Sequence, residues 1–280
     1  MSNFRPPLSR RAVLGAAALG AVLPKAAALA ESAAPSPSPA PPPLDKPPFV
    51  LVHGAWHGGW CWRKVVPLLR AAGHPVYAPT LTGVGDRAHL LTREVNLFTH
   101  VRDVAQVLEF EDLHGAILVG HSYAGMVVPA VAAQAGGRVG RLIHLDAYVP
   151  KPGTSTFDNM SPKFVERWRQ VVTTKGEGWK VPPLLDAKAM GITDASDAEW
   201  VNARLRPMPL GAFDQKVSFD AAKLEHLPRA YVRCAGFSGF APIAQKAREQ
   251  GFELREVPAG HDAMVAAPEE LAKALLALAG

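Results

Sequence analysis

The stretch Gly120-His121-Ser122-Tyr123-Ala124-Gly125 constrains this chain more than any other. It follows the apolar run Ala116-Ile117-Leu118-Val119 and precedes Met126-Val127-Val128. The pattern is a strand, a sharp turn and a helix, with a serine at the apex. A serine hydroxyl is a poor nucleophile unless it is held out of its secondary structure beside a base. A strand-to-helix elbow does this, because small neighbours let the backbone take a strained turn. The usual spacing is G-x-S-x-G; here Ala124 stands at the fifth position, with Gly125 directly after it.

Short β-rich apolar runs alternate with helical stretches on both sides of the elbow. Strands are expected at Phe49–Val52, Pro75–Ala78, Ala116–Val119, Leu142–Leu145, Ala230–Cys234 and Glu253–Val257. Helices are expected over Trp60–Ala72, Asn96–Phe110, from the elbow to about Gln134, Pro242–Gln250 and Pro268–Ala279. Six strands separated by helices imply an α/β fold, a mainly parallel sheet with helices on both faces. Ligands bind such sheets at the carboxyl ends of the strands. Gly54, Ser122, Asp146 and His261 all fall just past strand ends. Residues 151–228 are too long for a bare loop. Their Trp, Met and Phe content predicts a mostly helical cap insertion, a few of whose residues line an apolar pocket above Ser122.

Ser122 needs a base. Of ten histidines, His261 stands out by position, in the loop between the last strand and the last helix. His121 is expected to point elsewhere and His53 to fix its neighbouring loop. His57, His74, His89, His100, His114, His144 and His226 have no context beyond surface or packing. The base needs an orienting carboxylate. After the strand ending at Cys234 no acid appears until Glu249, and the nearest alternative is Asp146, with Asp214, Asp220 and Asp262 still open. Asp146 could instead cap a turn. An oxyanion hole needs backbone donors, for which the Tyr123 and Ala55 amides are the candidates. No metal or cofactor pattern stands out: His53 and His57 flank a Gly-rich turn with no third ligand near, and no G-x-G-x-x-G or Walker pattern appears.

The first 30 residues read as an address. Arg10-Arg11 is followed by the apolar run Ala12–Leu23, whose 12 residues are too few for a bilayer span. Ala28-Leu29-Ala30 offers a cleavage site, so residues 1–30 are expected to be a twin-arginine signal peptide and the product periplasmic or secreted. Residues 31–48, rich in Pro, Ala and Ser, predict an extended linker. The folded domain is then 49–280, with no stable membrane anchor once the signal is cleaved. Five of the basic residues and two of the acidic ones precede Phe49, which leaves 25 basic and 23 acidic residues in the domain, a net +2. That balance, with no basic stripe, points away from nucleic acid and toward a small-molecule partner. Cys61 and Cys234 are expected to be buried and unpaired.

The segments 49–62 (FVLVHGAWHGGWCW) and 73–85 (GHPVYAPTLTGVG), with the elbow at Gly120, resemble the α/β-hydrolase branch of plant methyl esterases and hydroxynitrile lyases, with bacterial esterase relatives. The order of serine first and histidine last is also that of α/β-hydrolases. The resemblance implies a serine esterase, to which the strand-end reading gives Ser122 as nucleophile, His261 as base and Asp146 as the favoured acid. The branch usually keeps its acid after the penultimate strand, which this chain lacks, although some α/β-hydrolases place it at the strand end where Asp146 stands. The lyases share a threonine where this chain has Gly54, and a lysine after the catalytic histidine, where it has Asp262. Both departures favour ester hydrolysis over cyanohydrin cleavage, and the apolar, aromatic cap suggests a small or medium hydrophobic acyl or alcohol group. The rival readings are a lyase acting on a hydroxynitrile or carbon–carbon bond, and a small-molecule binding protein with a vestigial triad.

Overall fold

A computed structural model describes residues 46–280 of the chain. The expected signal peptide at 1–30 and residues 31–45 of the expected linker lie outside the described residues.

The chain enters the fold through β1 (Phe49–Val52), followed by α1 (Val65–Ala71), β2 (Val76–Tyr77), α2 (Leu97–Phe110), β3 (Ala116–His121), α3 (Val128–Gln134) and β4 (Val139–Leu145). An insertion then carries α4 (Pro162–Lys175), β5 (Lys180–Val181), α5 (Ala195–Asn202), β6 (Met208–Pro209) and α6 (Gly211–Asp214). The chain returns through β7 (Arg229–Cys234), α7 (Ala241–Glu249), β8 (Glu253–Val257), α8 (Ala263–Ala266) and α9 (Pro268–Ala277). Six strands form one parallel sheet in the order β2-β1-β3-β4-β7-β8.

The strand order reverses after β2. Because parallel crossovers are right-handed, the reversal puts α1 on one face and α2, α3 and α7 on the other. Accordingly α1 packs against α9, and α2 against α3. The switch point lies between β1 and β3, where a doubly wound sheet opens a crevice at its carboxyl edge. Both strands are buried from end to end, as a two-sided core requires. At the edge, β8 exposes Glu253, Arg255 and Glu256, charges that discourage pairing with another chain.

Some boundaries differ from expectation for identifiable reasons. The helix expected over Trp60–Ala72 is broken into a 3₁₀ turn at Gly59–Trp62 and α1 from Val65. Pro67 explains the break: it has no N–H to donate and its ring would clash with the preceding turn, so it fits only in a helix's first turn. Asn96 is the cap of α2 rather than its first residue; its side chain accepts from the Phe98 and Thr99 amides in a capping box. The insertion is not wholly helical, because β5 and β6 form a small antiparallel pair.

Candidate active site

The fully buried β3 drives the chain straight to Ser122, which takes the left-handed conformation (φ 53°). That conformation is costly for a residue with a Cβ and persists only where the surroundings hold it. Here a 3₁₀ turn over Ser122–Met126 follows at once, and the Tyr148 N–H donates to the Ser122 carbonyl at 3.2 Å. The turn also needs Gly125: a Cβ there would lie 2.1 Å from the Tyr148 carbonyl oxygen. This explains why Ala124 is tolerated at the fifth position of the elbow pattern. The close approach falls one residue later. Of the five non-glycine residues with positive φ among the described residues, Trp56, Ser122 and Asp146 all border this site.

The loop after β8 brings His261 to the elbow, and Asp146 reaches it from the end of β4. His261 Nδ1–H donates to Asp146 Oδ2 at 2.7 Å, which leaves Nε2 as the ring's acceptor. Asp146 is fully buried, and its other oxygen accepts from the Cys234 N–H at 3.3 Å. The end of β7 therefore supports the carboxylate without supplying one. What the loop after β7 does supply is Phe240, whose ring lies parallel to His261 at 5.3 Å, and Phe237 at 4.7 Å. The three other acids lie elsewhere. Asp214 pairs with Arg169 among exposed side chains, Asp220 caps a 3₁₀ turn, and Asp262 bonds His57. His121 does not simply point away: its Nε2–H donates to the His261 carbonyl at 3.0 Å and so steadies that loop.

The loop after β1 is held by two histidines in opposite states. His53 donates from Nδ1 to the Gly54 carbonyl (2.8 Å) and accepts the Leu81 N–H at Nε2 (3.0 Å). One donor and one acceptor suit a neutral ring, and burial pushes His53 down to about 3. His57 instead faces two acceptors, the Ala55 carbonyl at 2.7 Å and Asp262 Oδ2 at 3.0 Å. Burial works against its charge, but the Asp262 carboxylate outweighs this and raises His57 above the usual imidazole range. The Ala55 N–H between these two anchors has no partner among the described residues. The Tyr123 N–H lies in the first turn of its helix, where amides lack intrahelical acceptors.

Ser122, His261, Ala55 and Tyr123 all line one cavity of about 90 Å³. Its apolar walls come from Trp56, Tyr148, Phe237 and Phe240 of the body and from Met160, Trp168, Leu185, Met190 and Phe213 of the insertion. Of the insertion residues expected to pack or line, Phe157 packs behind the wall against Trp168 and Phe213, and Phe164 is exposed. Cys61 and Cys234 are both buried and free. Sequence reasoning missed Phe237, Phe240 and the role of His57. A pair of phenylalanines where a carboxylate was sought was the one available signal. Among the described residues, no cluster of three His, Cys, Asp or Glu could hold a metal, and no helix is long and apolar enough to cross a membrane.

A strained serine at the switch point of a parallel sheet, with a histidine–carboxylate pair above it, defines a hydrolase-type site. The chain belongs to the alpha/beta hydrolase family, which matches residues 49–274. It is 38% identical over 243 residues to a carbendazim hydrolyzing esterase of Nocardioides sp., covering 82% of this chain and 98% of that one. It is 26% identical to salicylic acid-binding protein 2 of Nicotiana tabacum, covering 82% of this chain and 96% of that protein. In fold it is similar to an extracellular alpha/beta-hydrolase from a Paenibacillus species, with a TM-score of 0.74 and 24% identity, over 84% of this chain and 99% of that one. The chain is an enzyme, and its likeness to esterases supports ester hydrolysis in general.

Proposed function

We propose that this chain is an exported serine esterase acting on small or medium hydrophobic carboxylic esters through an acyl-enzyme. Ser122 Oγ attacks the ester carbonyl while His261 Nε2 takes its proton. The tetrahedral oxyanion is met by the Ala55 and Tyr123 amides. His261 then protonates the leaving alcohol, and water releases the acyl group by the same route. Asp146 fixes the tautomer and orientation of His261. The observation that carries this reading is the 2.7 Å bond from Asp146 to His261, which lines the same cavity as Ser122.

The cavity's size argues for a small bound group. About 90 Å³ is well below the roughly 300–1,000 Å³ of sites for drug-sized ligands, so a short acyl or alkyl group suits it. The Nocardioides relative makes carbendazim a sensible compound to assay beside simple esters. Gly54 argues against the lyase reading: a Cβ there would lie 2.9 Å from the Ser122 Cβ and 2.8 Å from His121 Nδ1. The twin arginines and the Ala28-Leu29-Ala30 site support export, and N-terminal sequencing of the secreted product should begin at Glu31. For the chemistry, a fluorophosphonate probe followed by peptide mass analysis should place one adduct on Ser122. No adduct, or an adduct on another residue, would refute the serine mechanism.

A further inference from the structure

We propose that the buried His57–Asp262 pair holds a proton through which it positions the oxyanion loop against the loop bearing His261. His57 is thus a positioning residue for the reaction, an inference that rests on the serine-esterase reading above. The hydrogen-bond pattern carries it. A carbonyl oxygen can only accept, so the 2.7 Å contact with Ala55 requires a proton on His57 Nδ1. The 3.0 Å contact of Nε2 with Asp262 Oδ2 requires a second proton between them. Asp262 is fully buried, and its Oδ1 has no hydrogen-bond partner among the described residues, so its hydrogen-bonded counter-charge there is His57.

Among the described residues, five other titratable groups face the pair: His53 shares the loop with His57, His121 lies at the end of β3, Cys61 packs from the turn before α1, Cys234 ends β7, and His261 adjoins Asp262. Burial keeps the His53 and His121 rings neutral and the Cys61 thiol protonated. Trp60, stacked on His57 at 5.2 Å, carries no charge. The raised His57 and lowered Asp262 agree in direction with an imidazolium–carboxylate pair.

The pair joins two parts of the active site that are 205 residues apart in sequence. On one side His57 pins the Ala55 carbonyl while His53 pins the Gly54 carbonyl, so the Ala55 N–H between them has a fixed direction. On the other side Asp262 follows His261 directly, and its own N–H is tied to the Met190 carbonyl at 3.1 Å. Loss of the shared proton would set the lone pair of Nε2 against a buried carboxylate. The two loops would then separate, and the oxyanion amide would lose its aim.

The test compares the full chain with His57→Gln and Asp262→Asn on p-nitrophenyl acetate, with kcat and KM measured from about pH 6 to about pH 9.5. His57→Gln carries both its N–H donors on one nitrogen and cannot span the acceptors that His57 meets from two ring nitrogens, so its kcat should fall by about 10- to 100-fold with KM little changed, as expected for misaimed transition-state groups. In Asp262→Asn the new amide can donate to a neutral Nε2 while Nδ1–H still holds Ala55. That variant should keep kcat within about threefold at neutral pH but lose the alkaline decline of the wild type. If His57→Gln does not fold, the pH profile of Asp262→Asn decides alone. Wild-type kcat and a wild-type alkaline decline in the folded variants would overturn the inference. If Ser122→Ala abolishes turnover while both pair variants follow wild type, only this inference fails; if Ser122→Ala keeps the wild-type rate, the serine-esterase reading fails.

Discussion

His261 Nδ1 lies 2.7 Å from Asp146 Oδ2, and Asp146 comes from the end of β4, not from the end of β7. The neighbouring β7 contributes the Cys234 amide that supports the carboxylate, and the loop beyond it stacks Phe237 and Phe240 on the imidazole. The carboxylate thus stands at the end of β4, and the loop after the penultimate strand β7, where the acid was first sought, supplies aromatic wall instead. Asp146→Asn should lower kcat by about 10³- to 10⁴-fold, because the amide favours the wrong histidine tautomer. Asp214→Asn, in an exposed pair with Arg169, should leave kcat unchanged. Equal rates for Asp146→Asn and wild type, measured on p-nitrophenyl butyrate, would remove Asp146 from the mechanism.

Gly54 leaves no room for a side chain. A Cβ would sit 2.9 Å from the Ser122 Cβ and 2.8 Å from the His121 ring. Gly54→Thr should cost about 1–3 kcal/mol of stability through overpacking. It should also lower esterase kcat by about 10²-fold, because the Ala55 amide moves with it. It should not gain cyanide release from a cyanohydrin; measurable release would revive the lyase reading.

Met160 borders both the cavity of about 90 Å³ and an open cleft of about 690 Å³ on the insertion, lined by Phe157, Asp158, Arg169 and Asp214 among others. Met160→Ala should join the two spaces. The ratio of kcat/KM for p-nitrophenyl octanoate over acetate should then rise by about tenfold. An unchanged ratio would mean that the limit on acyl length lies elsewhere in the wall.

Burial keeps four histidines neutral. His53 is pushed down to about 3, His144 to about 4, and His100 and His121 below the usual range. On unfolding each returns to an ordinary value of about 6.5. Below that pH the unfolded chain therefore binds protons that the folded chain refuses, and stability falls as pH drops toward about 4. His57 has the opposite sign: its contribution is complete below about pH 6.5 and is lost as pH rises through its raised value. Thermal unfolding followed by circular dichroism should show the melting temperature falling steadily from neutral pH into acid. A flat profile over that range would contradict the buried neutral histidines.

The parts of this protein legible in its sequence are those fixed by local pattern. The apolar run into Ser122 and the stop after Val257 are both visible, and with them the elbow and the position of His261. Asp146 could be ranked above Asp214, Asp220 and Asp262 but not separated from them, because its contact with His261 spans 115 residues. The bond from His57 to Asp262 was not legible: Asp262 drew notice only as a rival acid and as a departure from the lyases, and nothing local ties it to His57, 205 residues away. The break before α1 shows a local signal overlooked, since Pro67 was there to be read.

The most direct test is the turnover of p-nitrophenyl acetate and butyrate by Ser122→Ala beside wild type. The variant should fold, melt within a few degrees of wild type, and retain no more than about 10⁻³ of its kcat. A folded Ser122→Ala protein that hydrolyses either ester at the wild-type rate would contradict the serine mechanism.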